Sequence, residues 1–496
     1  MENLKRNSIM KNIIKLFLLI FVMLIAGSCS KDKLDPVPKT KLADYSAFDT
    51  KSRIVAQVNG LYDFMKSGQY RGGRFLIYND IRAENFDNLL SNGVTGLQTW
   101  QNNVTESTNE VDGLWKAVYA TVNAINIFIE GLDASRLDPV KAASITDAEY
   151  NQFKGEALAL RGLCYFDLLQ LYAKPFNMNA GAGLGLPLRL KAYKTPADND
   201  LARSTVAEVY TQILADLNAA EPMVALINGT AILNTTRLHR NSVIALKSRV
   251  YLNMNNYTAV VLEANKIVSA TAPFKVTTGV ATALQDSIKS VFTTPWTTPE
   301  SMFSMPMVET DAPGTQNQLG YYYSKTLTNK SPDYSLTSTG IISNAGFKAV
   351  DARRSLLTIS SGKTYLNKYN VDLFIDYVPV IRYSEVLLNL AEAESKDAGS
   401  VTARSIALLN AVRGRASGGT YVAGDFANLA AFIDKVMLER NIEFLGEGIR
   451  NMDLMRTVST IPGKATVNPV PSTSTNYIWP IPLSEILSNK LIVQNQ

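Results

Sequence analysis

The chain has 496 residues and a formal net charge of +5, with no basic run of the kind that marks a nucleic-acid partner. Its single histidine cannot build a multi-histidine metal centre, and its two cysteines exclude a disulfide framework. Aromatic residues make up 9% of the chain and include 22 tyrosines, ample material for a binding surface built from rings.

Lys5, Arg6, Lys11 and Lys15 precede an apolar run from Leu16 to Ala26, which is 11 residues long. A membrane-spanning helix needs ~20, so the run reads as a secretory leader that is removed. The small residues Ala26, Gly27 and Ser28 then lead to Cys29. That arrangement resembles a bacterial lipobox, whose cysteine thiol is acylated. Residues 1–28 are therefore expected to be a signal peptide, with lipid on Cys29 and a tether over 29–45. Lys31 and Asp32 resemble the short charged signal that sends such lipoproteins to the cell surface. Without the leader's four bases and one acid, the charge falls from +5 to about +2.

Ile54, Val55, Val58, Leu61 and Tyr62 recur at helical spacing, predicting a first helix within 46–66. Residues 67–109 are rich in Gly and Asn and read as turns. A second helix is predicted over roughly 110–132, with Leu114, Val118, Val122, Ile125 and Ile129 on one face. The stretch FKGEALALRGLCYFDLLQLYAKPF carries two apolar stripes, the mark of a helix buried between other helices. Lys174-Pro175 ends it. In RSTVAEVYTQILADLNAA, Thr205 and Glu208 match a capping box. The stretch RNSVIALKSRVYLNMNNYTAVVLEANKIVSA predicts two helices joined at Asn255-Asn256. Helical repeats thus account for 110–270, and they return over 376–455. Between them, 271–375 reads as loops with a few short strands or helices. Trp115, beside Tyr119, and Trp479 are assigned to the core.

No catalytic constellation emerges. Glu439, Glu443, Glu447 and Asp453 could suggest a glycoside hydrolase, but Arg440, Arg450 and Arg456 interleave with them at helical spacing. Carboxylates so paired stay ionised, which suits structure more than acid catalysis. Arg382 with Glu385, and Glu392, Glu394, Arg413 and Arg415, receive the same reading. His239 and Cys164 are expected to be structural. No cofactor and no metal is expected.

Taken in order, LDPVPKTKL, GEALALRGLCYFDLL, RSTVAEVYTQILADL, ALKSRVYLNMNNY, VPVIRYSEVLLNLAEA, LLNAVRGRA, ERNIEFLGEGIRNMDLMR and YIWPIPLSEI resemble the SusD/RagB family of outer-membrane nutrient-binding lipoproteins. The likeness spans the whole chain after the leader. It implies a mainly α fold, in which a tetratricopeptide-like helical-repeat platform (an α-α superhelix) carries a loop-rich, ligand-binding elaboration within a single domain over 46–496. It also implies a non-enzymatic role: capture of an oligomeric nutrient, most often a glycan, and delivery to a SusC-like TonB-dependent barrel transporter in the outer membrane. A lipid-anchored glycoside hydrolase, a peptide-binding member and a protein-binding scaffold are the alternatives.

Sugars offer apolar C–H faces rimmed with hydroxyls, so rings cover the faces and amides or carboxylates bond the rims. Family ligand contacts come from two regions of the chain, represented here by 68–103 and 292–334. The first holds Tyr78, Asn79, Asp87 and Trp100; the second holds Trp296, Gln316, Asn317, Tyr321, Tyr322, Tyr323 and Tyr334. Trp100 and one of Tyr321, Tyr322 or Tyr323 are expected to stack on ligand. Asn79, Asp87 and Asn317 are expected to hydrogen-bond it.

Overall fold

A computed structural model describes residues 46–195, 199–326 and 332–495. The leader, Cys29 and the tether through 45 lie outside the described residues. Sixteen α-helices and six short strands are found among the described residues. The mainly α expectation holds.

The helices form where capping and apolar spacing coincide. Helix α1 spans Lys51–Met65; Ile54, Val58, Leu61, Tyr62 and Met65 are buried. Next come α2 (Arg74–Ile81), strand β1 (Phe86–Asn88) and the single turn α3 (Leu97–Trp100). Helix α4 runs Asn109–Leu137, longer at both ends than its apolar stripe implies. Helix α5 spans Asp147–Tyr172, and its last eighteen residues, Gly155 to Tyr172, are buried without interruption. It packs against both α4 and α6, the latter spanning Val206–Met223. Gly162 permits the α5–α6 approach, since a Cβ there would lie 3.3 Å from the Ile213 carbonyl oxygen and from Leu217. The predicted capping box starts α6: the Glu208 amide donates to Thr205 Oγ1 at 3.2 Å, and Glu208 accepts from the Thr205 amide at 2.7 Å.

Helices α7 (Ala231–Thr236), α8 (Arg240–Asn253) and α9 (Tyr257–Ala264) follow, with the α8–α9 joint at the predicted Asn255-Asn256. His239 caps α8 and is wholly buried, and burial pushes its imidazole pKa down to about 4. Cys164 is buried as expected, and burial pushes its thiol up. Trp115 and Trp479 lie in the core.

The segment 271–375 holds α10 (Ile288–Val291), β2 (Ser301–Met305), α11 (Leu319–Tyr323), β3 (Tyr334–Leu336), β4 (Leu357–Ser360) and β5 (Lys363–Leu366). It is followed by β6 (Val378–Arg382), α12 (Tyr383–Asp397), α13 (Ala403–Arg415), α14 (Leu429–Glu443), α15 (Arg450–Arg456) and α16 (Leu483–Ser488). Strands β1-β3-β5-β4 make one antiparallel sheet, and β2 pairs with β6 in another. The β1–β3 register sets Phe86 against Leu336, Asp87 against Ser335 and Asn88 against Tyr334. That pairing joins the two predicted loop regions.

The turn reading of 67–109 is corrected by α2. All eight of its residues are buried, so no polar face gave it a period.

Candidate functional site

Two glycines anchor the second loop region on the first. A Cβ on Gly68 would lie 2.2 Å from the Pro313 carbonyl oxygen, and one on Gly73 1.8 Å from that of Asn317. Only glycine lets the 313–317 turn settle there. The turn leads directly into α11 and its three tyrosines.

Those tyrosines divide by exposure. Tyr322 and Tyr323 have no exposed surface. The Tyr322 hydroxyl donates to the Gln316 carbonyl at 2.8 Å, and its ring stacks on Tyr334 with centroids 6.1 Å apart. Tyr323 stacks on Phe86 at 4.8 Å and donates to Asp80 at 3.2 Å. Burial raises the pKa of Asp80 and of Tyr323 well above their ordinary ranges. Asn79 is also wholly buried; it donates to the Phe75 carbonyl at 2.8 Å and accepts from Asn451 at 3.0 Å. Trp100 is 7% exposed, and its Nε1 donates to the Phe86 carbonyl at 2.7 Å. Of the residues expected to contact ligand, Asn79, Tyr322, Tyr323 and Trp100 are thus buried and bonded within the fold in this conformation, which leaves Tyr321 as the partly exposed member of the three tyrosines.

The remaining candidates lie nearer the surface. Tyr321 is half-buried, edge-on to Phe374 at 5.9 Å. Asn317 is half-buried and donates to the Pro313 carbonyl at 2.8 Å, while its side-chain oxygen is unpartnered. Asp87 is half-buried and accepts from Thr337 at 3.1 Å.

A second aromatic pair adjoins this group in the chain. Trp296 and Tyr377 stack face to face, with centroids 4.6 Å apart and planes 12° from parallel, and both are half-buried. Tyr377 lies three residues beyond Phe374. Tyr321, Phe374, Tyr377 and Trp296 thus form two partly exposed aromatic pairs. Phe374 and Tyr377 were missed in the sequence. Tyr377 stands just before the apolar strand VPVIR, where an aromatic reads as one more strand residue.

A separate cleft of about 380 Å³ opens between the turn after Trp100 and a hairpin near the carboxyl terminus. Amide and hydroxyl groups dominate its lining: Gln101, Asn102, Asn103, Asn468, Ser474 and Asn476.

The carboxylates that suggested hydrolysis are not available as an acid–base pair. Arg382 bonds Glu447 at 2.8 Å and Glu443 at 3.1 Å, and also pairs with Glu300. Arg415 reaches Glu300 at 2.7 Å and Glu443 at 2.6 Å; Arg353 reaches Glu443 at 2.9 Å and Asp351 at 2.7 Å. With Glu439, Arg413 and Lys368 the cluster holds five cations and five carboxylates. Burial pushes Glu443 up, but Arg415, Arg382 and Arg353 outweigh it and hold the carboxyl well below the ordinary range. Pairing at helical spacing holds for Asp453, which Arg456 meets at 2.8 Å, and is corrected for the others. Glu385 meets Arg249 at 2.6 Å, Glu392 meets Arg456 at 2.7 Å, Glu394 meets Arg404 at 2.9 Å, and Arg450 meets Glu84 at 2.7 Å.

Residues 249–496 match the SusD family, and residues 33–252 match a family described as starch-binding and associating with the outer membrane. The chain belongs to the SusD/RagB family. A SusD-like protein, P38, of Formosa agariphila is 23% identical across 98% of this chain and 99% of its own length. A SusD superfamily crystal structure from Bacteroides fragilis is 29% identical with a TM-score of 0.77, covering 89% of this chain and 99% of that one. Surface glycan-binding protein A of Bacteroides thetaiotaomicron, solved with laminarihexaose, is 19% identical with a TM-score of 0.68, over 90% of this chain and 99% of that one. At that identity the last likeness is one of fold. Among the described residues, no helix of this SusD-family chain is long and apolar enough to cross a membrane.

Proposed function

We propose that this SusD-family chain is a lipid-anchored protein of the outer-membrane surface. It captures an oligosaccharide without altering it and passes it to a SusC-like TonB-dependent barrel. In this reading, residues 1–28 are cleaved, Cys29 carries the acyl chains, and 29–45 tethers a single domain whose consecutive helix pairs act as a tetratricopeptide-like platform.

One observation carries the carbohydrate reading: the half-exposed rings of Tyr321 and Phe374 and of Trp296 and Tyr377. Aromatic faces of this size cover the apolar face of a sugar at little entropic loss. Asn317 and Asp87 are the candidates for its hydroxyl rim. Support comes from the starch-binding description of one matched family and from the laminarihexaose bound by a relative of like fold. The ion-paired state of Glu443 and Glu447 argues against turnover.

Isothermal titration of the purified chain against neutral glucan, galactan and mannan oligosaccharides, with a peptide pool as control, tests this. Binding of one glycan class, lost in Trp296→Ala and Tyr377→Ala, is the expected result. Binding of peptide alone, or release of cleaved product, would overturn it.

A further inference from the structure

Most fully buried arginines here carry a carboxylate: Arg71 bonds Asp167 at 2.7 Å, Arg249 bonds Glu385 at 2.6 Å, and Arg440 bonds Asp453 at 2.8 Å. Arg82 does not. It is 1% exposed and has no ion-pair partner within reach among the described residues. Its Nε donates to Asn102 Oδ1 at 3.4 Å, and its Nη2 donates to the carbonyls of Asn476 at 3.2 Å and Tyr477 at 2.9 Å. Its Nη1 is buried with no hydrogen-bond partner. Arg203 also lacks a carboxylate, but the carbonyls of Gly185, Leu184 and Val493 occupy its Nε, Nη2 and Nη1.

A second cation lies beside Arg82. Lys464 is 4% exposed, and its ammonium donates to the carbonyls of Ile81, of Arg82 at 2.7 Å and of Ala83 at 2.9 Å. It lies 5.8 Å from the centre of the Trp100 ring. Burial pushes Arg82 down to about 10, and burial together with Arg82 pushes Lys464 well below its ordinary range. Both effects are those of cations without a counter-ion. The nearest acids compensate little. Glu84 is already paired with Arg450 at 2.7 Å, which leaves only Asp87, bonded to Thr337.

Two of the three residues that hold the Arg82 guanidinium, Asn102 and Asn476, are themselves walls of the 380 Å³ amide-lined cleft. Buried charge left unbalanced behind a polar, open cleft attracts the opposite charge into it. We infer that this cleft is a subsite for an acidic saccharide, whose carboxylate or sulfate ester sits against the Asn102–Asn476 wall in front of Arg82 while the surrounding amides bond the ring hydroxyls. The inference rests on the carbohydrate reading above and adds a charge class and a second location to it.

Titrate the full chain, in mild detergent, with oligogalacturonate and its methyl ester, and with a sulfated galactan oligosaccharide and its desulfated form. At least one acidic member of a pair should bind about tenfold more tightly than its neutral twin, and that preference should shrink as salt rises from about 0.05 to 0.5 M. Which pair shows it separates carboxylate from sulfate. Arg82→Gln should abolish the preference, and Asn103→Ala, at the exposed cleft wall, should weaken the acidic ligand several-fold. If Arg82→Gln fails to fold, the paired ligands and the salt series on the unsubstituted protein still decide. Equal affinity within both pairs overturns the subsite while leaving neutral-sugar binding in place. An acid preference untouched by both substitutions overturns its location. Failure of all four probes and of every neutral glycan overturns this inference and the carbohydrate reading together.

Discussion

Arg382 grips both carboxylate oxygens of Glu447, Nε to one and Nη2 to the other, each at 2.8 Å, across 65 positions of sequence. Lys368 shares the same carboxylate at 2.8 Å. A group held this way between two buried cations is structural. Glu447→Gln should leave Arg382 and Lys368 short of charge and lower the stability of the fold by about 3–5 kcal/mol. Chemical denaturation read by circular dichroism checks this.

The same network sets the acid limit of the protein. Burial raises the carboxyls of Glu392, Glu443, Glu447 and Asp453, but the arginines around them win and hold all four below their ordinary range. A depressed carboxyl contributes stability that is complete above its unfolded pKa and fades as pH falls toward its folded one. Melting temperature should therefore lose this contribution only below about pH 4.5, and steeply. A melting series from pH 8 down to pH 3, at about 0.15 M salt, reads the onset.

Asp376 has the opposite sign. Burial lifts its carboxyl to about 7, partly offset by the Val371 and Asn370 amides that donate to it at 3.2 and 3.0 Å. A raised carboxyl costs stability as pH climbs from its unfolded pKa, ~4, to its folded one. Asp376→Asn keeps an acceptor for both amides and removes the charge. Its advantage over the parent should grow between pH 4 and pH 7, reach on the order of 2–4 kcal/mol, and then level off. Paired melts at several pH values measure it.

Gly73→Ala should drive a methyl into the Asn317 carbonyl and push the 313–317 turn off its seat. We expect a stability loss of about 1–3 kcal/mol, together with a larger proportional loss of glycan affinity, because Asn317 and Tyr321 ride on that turn. Titration beside thermal melting separates the two effects.

Adjacent tyrosines should respond in opposite ways. Tyr321→Ala, at the surface against Phe374, should weaken glycan binding and cost about 1 kcal/mol of stability or less. Tyr322→Ala, wholly buried, should cost about 3–5 kcal/mol. A Tyr321→Ala protein of unchanged affinity would remove that ring from the site.

Local chemistry was open to reading wherever a few neighbouring residues decide the outcome. The Thr205–Glu208 cap, the double apolar face of α5 and the Asn255-Asn256 joint depend on contacts within one or two turns of chain. The sequence also carried the family resemblance, because those same helices appear in a fixed order. By contrast, α2 was hidden because it is buried all round and so has no polar face to mark it. Ion-pair partners were hidden too: Arg382 bypasses nearby Glu385 for Glu300, Glu443 and Glu447, which only folding brings within 4 Å. Exposure was decided last of all. Tyr321, Tyr322 and Tyr323 are identical letters in a row, and whether each ring meets solvent or core depends on what the Gly68–Gly73 turn, β3 and the 371–377 loop place against it. Arg82 is the sharpest case, since a lone arginine after an apolar stretch says nothing of its burial. A buried cation is defined by the acids that do not come near it, and that absence is a property of the assembled fold.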